Sequence, residues 1–225
     1  MWVIFDLNID IPKEVSRSLE IDNYKENSFE ITLKNNNLHI ETHSIGSLKS
    51  ILDDFFRCLT AAIKVYEIAC DYKIRNVTES DLESFLSLYY KAYKGFKKYY
   101  YKTERWAKWY FKWLMKRDKD GFFIIEYKNK PIGFIACDCN WESKIEKKKV
   151  AEIHEIFVDP DFRGRGIGTM LINKAIEYAK KRGRDVIELW AGVENEQAKK
   201  FYKHLGFEEK EKVNDWVRFV KRLQF

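Results

Sequence analysis

No apolar run in the sequence approaches the roughly 20 residues that span a bilayer, so a membrane-crossing helix is excluded. The first six residues carry no basic charge and Asp10 follows soon after, so no secretory leader is expected and the cytoplasm is the expected location. Repeats and low-complexity tracts are absent as well. Cysteine is scarce: Cys58, Cys70, Cys137 and Cys139 are the whole set. A structural zinc site needs a second Cys or His pair at ligand spacing, and none is present, so no metal is expected. Cys137 and Cys139 flank Asp138 inside an apolar run. On a strand both would point to one face, as buried reduced thiols suited to the cytosol.

What is present suffices for one large domain or two small ones: 225 residues, 45% hydrophobic and 16% aromatic. The charge divides the chain. Residues 1–71 hold 7 Lys and Arg against 12 Asp and Glu, and the remainder holds 34 against 23, a step from −5 to +11. A step of that size suggests two units, 1–71 and 72–225. The basic half would suit a nucleic acid, an acidic peptide or the phosphates of a small ligand, or it is simply a solvated lysine surface.

In the first unit, residues 2–9 and 29–42 read as strands. The run from Lys34 through Asn37 is a turn signal, so the second stretch is a hairpin. Ser47 is expected to open a helix reaching about Cys70, because Leu48, Ile51, Leu52, Phe55, Leu59, Ala62, Ile63 and Tyr66 recur at helical spacing. The result is a small ββ(β)α domain whose apolar stripe is long for its size. A homodimer through that helix is expected. Leu38-His-Ile-Glu-Thr42, followed by Ser47-Leu-Lys-Ser-Ile-Leu-Asp-Asp-Phe-Phe-Arg57, resembles in pattern and order the small dimeric subunit family of the KEOPS tRNA-modifying complex. A generic packing module fits the same residues.

In the second unit, strands alternate with helices and hairpins. A short strand at Ile74 leads to Thr78, a helix N-cap with Asp81 three residues on. Helical segments follow at 82–93, 104–116, 167–182 and 196–205, and strands at 122–127, 132–139, 150–158 and 186–191, with one or two more to the end. A charged loop is expected at 142–149. The fold class is mixed α/β (α+β) with a central mixed sheet.

Chemistry concentrates between residues 150 and 207. A buried strand ends at Val158, the chain turns at Pro160, and Gly164, Gly166 and Gly168 open a helix. Glycines let backbone approach a ligand closely. The first N–H groups of a helix have no intrahelical partner, and the helix dipole adds to them, so the segment is an anion site to which Arg163 and Arg165 contribute charge. A Walker loop would need Lys between Gly168 and Thr169, and a Rossmann fingerprint would need a different glycine spacing.

The pattern Arg163-x-x-Gly166-x-Gly168 instead resembles the GNAT N-acetyltransferase family, as does the preceding Ile156-Phe-Val-Asp-Pro160. A second segment, Asn195-x-x-Ala198-x-x-Phe201-Tyr202-x-x-x-Gly206-Phe207, resembles that family's later motif in the expected order. The resemblance covers residues 72–225. It implies the GNAT acyltransferase fold and acetyl-CoA as co-substrate, held in a splay between the strands that end near Val158 and Ala191. Backbone groups of Ile156, Phe157 and Val158 would hold the pantetheine arm. The N–H groups of Gly164, Arg165, Gly166, Ile167, Gly168 and Thr169, with Arg163, would hold the pyrophosphate. Asn195 would touch the pantetheine and Tyr202 would sit by the sulfur.

Direct transfer requires a base for the substrate ammonium and an acid for the leaving thiolate. Tyr202 is the expected acid. Glu152, His154 and Glu155 lie on the central strand, and a period of two sets Glu152 and His154 on one face and Glu155 on the other. In enzymes of the resembled family a Glu often stands at the position of His154 or of Glu152, so the resemblance implies these two as the candidate bases, and a His base suits neutral pH. The acceptor wall would come from the aromatic, lysine-rich residues 89–110, which fit either nucleobase stacking or a core with lysine stems laid over it. Three functions follow from these readings. The first is an acetyltransferase acting on the primary amine of a protein or small molecule. The second is a nucleic-acid-associated protein linked to tRNA or tRNA-modification factors. The third is a non-catalytic acyl-CoA-binding scaffold.

Overall fold

A computed structural model describes residues 2–19, 24–26, 29–96 and 98–224, the side chains of residues 24–26 and 64–70 excepted. The chain forms two compact units, Met1–Asp71 and Tyr72–Phe225.

In chain order the first unit holds β1 (Val3–Asn8), α1 (Lys13–Ser18), β2 (Tyr24–Glu26), β3 (Phe29–Lys34), β4 (Asn37–Thr42) and α2 (Ile45–Cys70). The strands form an antiparallel sheet in the order β1-β4-β3-β2. Asn35 and Asn36 take positive φ (51° and 64°), which gives a tight β3–β4 hairpin the twist it needs. Leu38 and Ile40 on β4 and Phe55 and Leu59 on α2 close the core. The helix begins earlier than its periodicity suggests, because Ser44 Oγ accepts the Ser47 N–H at 3.0 Å and Ser44, not Ser47, acts as the cap. Tyr66, the last residue of the expected stripe, falls outside the described side chains.

The second unit holds β5 (Tyr72–Asn76), α3 (Leu82–Ala92), α4 (Glu104–Arg117), β6 (Phe122–Tyr127), β7 (Lys130–Ser143), β8 (Lys148–Val158), α5 (Ile167–Lys181), β9 (Val186–Gly192), α6 (Glu196–His204), β10 (Glu208–Val213) and β11 (Trp216–Arg222). Its seven-stranded sheet runs β10-β11-β9-β8-β7-β6-β5, with β8 and β9 parallel and the other neighbours antiparallel. One face packs on α5 through Leu171, Ile172 and Ala175. The other packs on α3 and α4 through Phe85, Leu88 and Phe111. The Asp81 carboxylate accepts the Thr78 N–H at 2.8 Å and so holds the turn into α3.

The charged loop expected at 142–149 is replaced by the tip of a long β7–β8 hairpin. Its charges are used: Glu146 reaches Arg218 on β11 at 2.7 Å. Among the described residues no helix is long and apolar enough to cross a membrane.

Candidate active site

The site begins where two parallel strands part. β8 and β9 pair only over Ala151–Ile153 and Ile187–Leu189. Beyond that point β8 continues along β7 as far as Val158, and β9 continues along β11 as far as Gly192. The facing backbone edges are left without each other, and backbone groups so exposed seek a ligand or water. A cleft of about 810 Å³ opens in the gap.

The register of β8 against β7 also slips here. Ala136 lies opposite Glu155 and Cys137 opposite Ile153, so His154 is the extra residue of a β-bulge. Period-two counting fails across it. Ile153 and Ile156 both pack towards α5, whereas His154 and Glu155 both face the α3–α4 side. The expectation that Glu155 lies on the opposite face from His154 is therefore corrected by the bulge.

At the end of β8 the Asp159 carboxylate caps a single turn by accepting the Asp161 N–H at 3.0 Å. Gly164 and Gly166 follow with φ of 75° and 77°, a left-handed backbone that favours glycine. A Cβ at either would meet open space, so the glycines serve the backbone path rather than packing. α5 starts without a side-chain cap, and Met170 donates to Gly166 O at 3.0 Å as its first helical turn closes. The N–H groups before it point out of the helix, towards an anion. The loop thus fits a diphosphate.

Arg163 lines the cleft while donating to the carbonyl of Ala92 at 2.9 Å. Arg165, expected beside it, does not line the cleft, and its guanidinium lies 5.1 Å from the centre of the Phe162 ring. Gly168 has a packing reason too, since a Cβ there would come within 3.0 Å of the Phe201 ring.

Ile156, Phe157, Val158, Arg163, Gly164, Gly166, Ile167, Gly168, Thr169, Asn195, Tyr202 and His154 all line this one cleft, but Glu152 does not. Asn195 caps α6, its Oδ1 accepting the Ala198 N–H at 3.1 Å. Tyr202 is buried against Phe207 and Phe219. Burial first, and then the charge of Glu155, hold its hydroxyl in the protonated form by raising its pKa.

His154 sits edge-on between Trp113 and Trp141, and its Nε2 is 3.1 Å from Asp138 Oδ2. Arg117 also donates to that oxygen, at 2.8 Å through Nε. Glu152 sits on β8 beside Glu188 of β9. Burial, followed by the charge of Glu188, pushes it well above the usual carboxylate range, and its Oε2 has no hydrogen-bond partner. Burial thus disfavours the charged form of Glu152, and its enclosed placement outside the cleft does not support the role of base expected for it.

Glu155 is the carboxylate that the cleft presents. Its Oε1 accepts from the Tyr93 hydroxyl at 2.7 Å and from its neighbour's Ile156 N–H at 3.2 Å. Burial lifts it to about 7, partly offset by these donors and by Tyr110. A carboxyl poised near neutrality in a cleft has the character of a general base. No residue near Glu155 signals in advance the bulge that puts it there.

The opposite wall is aromatic. Tyr99 adopts φ of 76° and lays its ring on Gly192, where a Cβ would come within 2.7 Å of it. Its centroid is 5.0 Å from that of Trp216, and its hydroxyl is buried with no partner.

These features define an acyl-transfer site on a splayed mixed sheet, and the chain belongs to the acetyltransferase (GNAT) family, whose model matches residues 82–207. The chain is 70% identical to an uncharacterized N-acetyltransferase of Methanocaldococcus jannaschii, over 99% of this chain and all of that one. A crystal structure from Pyrococcus horikoshii OT3 is 36% identical with a TM-score of 0.63, covering 68% of this chain and 99% of its own. The PaiA N-acetyltransferase of Thermoplasma acidophilum, solved in complex with coenzyme A, shares the fold at 20% identity and a TM-score of 0.57, covering 68% and 99%.

Proposed function

We propose that this GNAT-family N-acetyltransferase moves an acetyl group from acetyl-CoA to a primary amine of a protein or small molecule, by direct attack with both substrates bound. The observation that carries the reading is Glu155, a buried carboxyl near neutral pKa set among Tyr93, Tyr110 and Tyr202 where β8 leaves β9.

An ammonium has no lone pair, so the acceptor must first lose a proton. Glu155 takes it. The uncharged amine then attacks the thioester carbon to give a tetrahedral oxyanion whose nitrogen carries one proton too many. As the C–S bond breaks, the departing thiolate receives a proton from the Tyr202 hydroxyl and the surplus nitrogen proton restores that hydroxyl. The free backbone edge of Ile156–Val158 orients the pantetheine arm. The glycine loop and Arg163 hold the diphosphate, as the free N–H groups of the α5 N-terminus favour. His154 is a positioning residue, fixed by Asp138 and two tryptophans beside the bulge. Tyr99 forms part of the acceptor wall, its ring laid against Gly192.

The test is an amine panel with acetyl-CoA and thiol detection, preceded by mass spectrometry for co-purified coenzyme A. Acetylation that disappears in Glu155→Gln while coenzyme A still binds supports the reading. Coenzyme A binding with no turnover on any amine would make the protein a scaffold.

We extend the proposal to the first unit, which pairs with a second copy through α2. Ile45 and Phe56 are exposed there, flanking a groove with Leu48, Leu52, Lys49 and Asp53. Lys49 and Asp53 lie one turn apart, so an antiparallel copy sets each lysine beside the other copy's aspartate.

A further inference from the structure

Residues 94–117, the α3–α4 loop and α4, hold nine Lys and Arg and one acidic residue, Glu104. This short stretch therefore carries most of the positive surplus of residues 72–225. Three of those cations are already engaged: Lys98 with Asp215, Lys108 with Glu104 and Arg117 with Asp138. Lys102, Arg105, Lys112 and Lys116 are exposed and have no carboxylate partner among the described residues. On α4, Arg105, Lys112 and Lys116 fall on one face at helical spacing.

Between them stand two tryptophans that the core does not use. α4 buries Ala107, Phe111 and Leu114, but Trp106 is 53% exposed and Trp109 48%. Their rings meet edge to face at 5.9 Å. A line of ring contacts runs inward from Trp109 to Tyr101 (6.4 Å), Tyr110 (5.0 Å), Trp113 (5.9 Å) and His154 (4.8 Å). Tyr101, Tyr110 and His154 also line the cleft. The exposed aromatic–basic face is therefore continuous with the acceptor mouth.

We infer that this face binds single-stranded nucleic acid, with bases stacked on Trp106, Trp109 and Tyr101 and phosphates on Lys102, Arg105, Lys112 and Lys116. Unpaired cations interleaved with solvent-facing rings are what such a strand requires, because every base offers a π-face and every link a charge. An acidic peptide would use the cations and leave the rings in water. A membrane surface would need a broad apolar face on the outside of α4, and Phe111 and Leu114 are turned inward.

The inference goes beyond the acetyl-transfer reading and is tested apart from it, by fluorescence polarisation of the full chain without acetyl-CoA. The probes are a short oligouridylate and a short oligodeoxythymidylate, and comparing them separates RNA from DNA as the ligand. For four phosphate contacts on a single strand, affinity should fall about 50-fold between about 50 and 200 mM salt. Trp106→Ala with Trp109→Ala should weaken binding at least about tenfold without changing the salt slope. Arg105→Gln with Lys112→Gln should roughly halve the slope.

The inference is overturned by absent binding at low salt, or by a tryptophan variant that binds as tightly as the native chain. It is equally overturned by equal affinity for poly-glutamate, or by binding to anionic vesicles in place of both oligonucleotides. All four substituted positions are solvent-facing, and an unchanged thermal melt confirms that the variants are folded.

Discussion

The Tyr93 hydroxyl donates to Glu155 Oε1 at 2.7 Å, which joins the end of α3 to the strand that bears the proposed base. Glu155 stands at about 7 because burial outweighs its donors. The rate on a good amine should therefore rise with pH through about 7 as Glu155 loses its proton. Glu155→Gln should lower kcat/KM by about 10²–10⁴-fold and remove that limb. Tyr93→Phe removes a donor that favours the carboxylate, so its limb should move to higher pH. Glu152→Gln should leave the profile in place, because Glu152 does not line the cleft. Stability runs the opposite way with pH. A carboxyl raised in the folded state favours folding at low pH and loses that contribution as pH climbs from about 4.5 through 7, so above pH 7 Glu155→Gln should be the more stable chain, by up to about 3 kcal/mol in denaturant titration. A variant with unaltered pH–rate behaviour would remove Glu155 from the mechanism.

Tyr202→Phe keeps the ring packed on Phe207 and Phe219 and deletes only the hydroxyl. Coenzyme A affinity measured by calorimetry should hold, while kcat should fall by about 10²-fold. A matching loss of affinity would mark the hydroxyl as a binding group rather than a proton donor.

Gly192→Ala places a methyl 2.7 Å from the Tyr99 ring. The ring must move, and the acceptor wall moves with it. KM for the amine should rise several-fold with coenzyme A affinity unchanged. Tyr99→Phe, which keeps the ring against Gly192, should leave KM close to the native value.

Arg218 is buried on β11 and bonds to Glu188, to Glu146 at 2.7 Å and to Glu211 at 3.0 Å. Arg218→Leu leaves the buried Glu188 without a counter-charge, whereas Glu146 keeps Arg222 and Glu211 faces solvent. Unfolding free energy should drop by about 3–5 kcal/mol, read from chemical denaturation near neutral pH. Much of that loss should return at acid pH, where the carboxylates protonate.

Ile45→Glu with Phe56→Glu should turn a dimer into a monomer in light scattering, with acetyl transfer retained. A chain that is monomeric before substitution, or dimeric after it, would discard α2 as the contact.

The parts of the fold legible in the sequence are those whose causes are local. The Asn35–Asn36 turn, the Thr78–Asp81 start of α3 and the glycine path into α5 each depend on a few consecutive residues. The motif residues to which the family resemblance gives a cofactor-binding role line one cleft, Arg165 excepted. What escaped reading is non-local. Nothing near His154 announces a bulge, because the slip belongs to the ladder between β7 and β8 and appears only when both strands are paired. Glu146 sits in a run of charges that looks like solvent loop until Arg218, 72 residues later, lies beneath it. α1 and the three-residue β2 are too short to carry a period. The lysine-rich aromatic stretch divides in two, with Phe111 inside and Trp106 and Trp109 outside, and the helical face that separates them is fixed by α3 and the sheet.

The extra residue at His154 means that β8 reverses its inside–outside phase midway. Where Glu155 ends up is therefore a property of strand count rather than of side-chain identity. Wholesale replacement of its neighbours by others of similar size should leave the carboxylate facing the acceptor. Pairing the same residues without the bulge would turn Glu155 and the remainder of the strand over, whereas excising His154 would restore a regular ladder, with Glu155 next to Ile153 and still opposite Ala136.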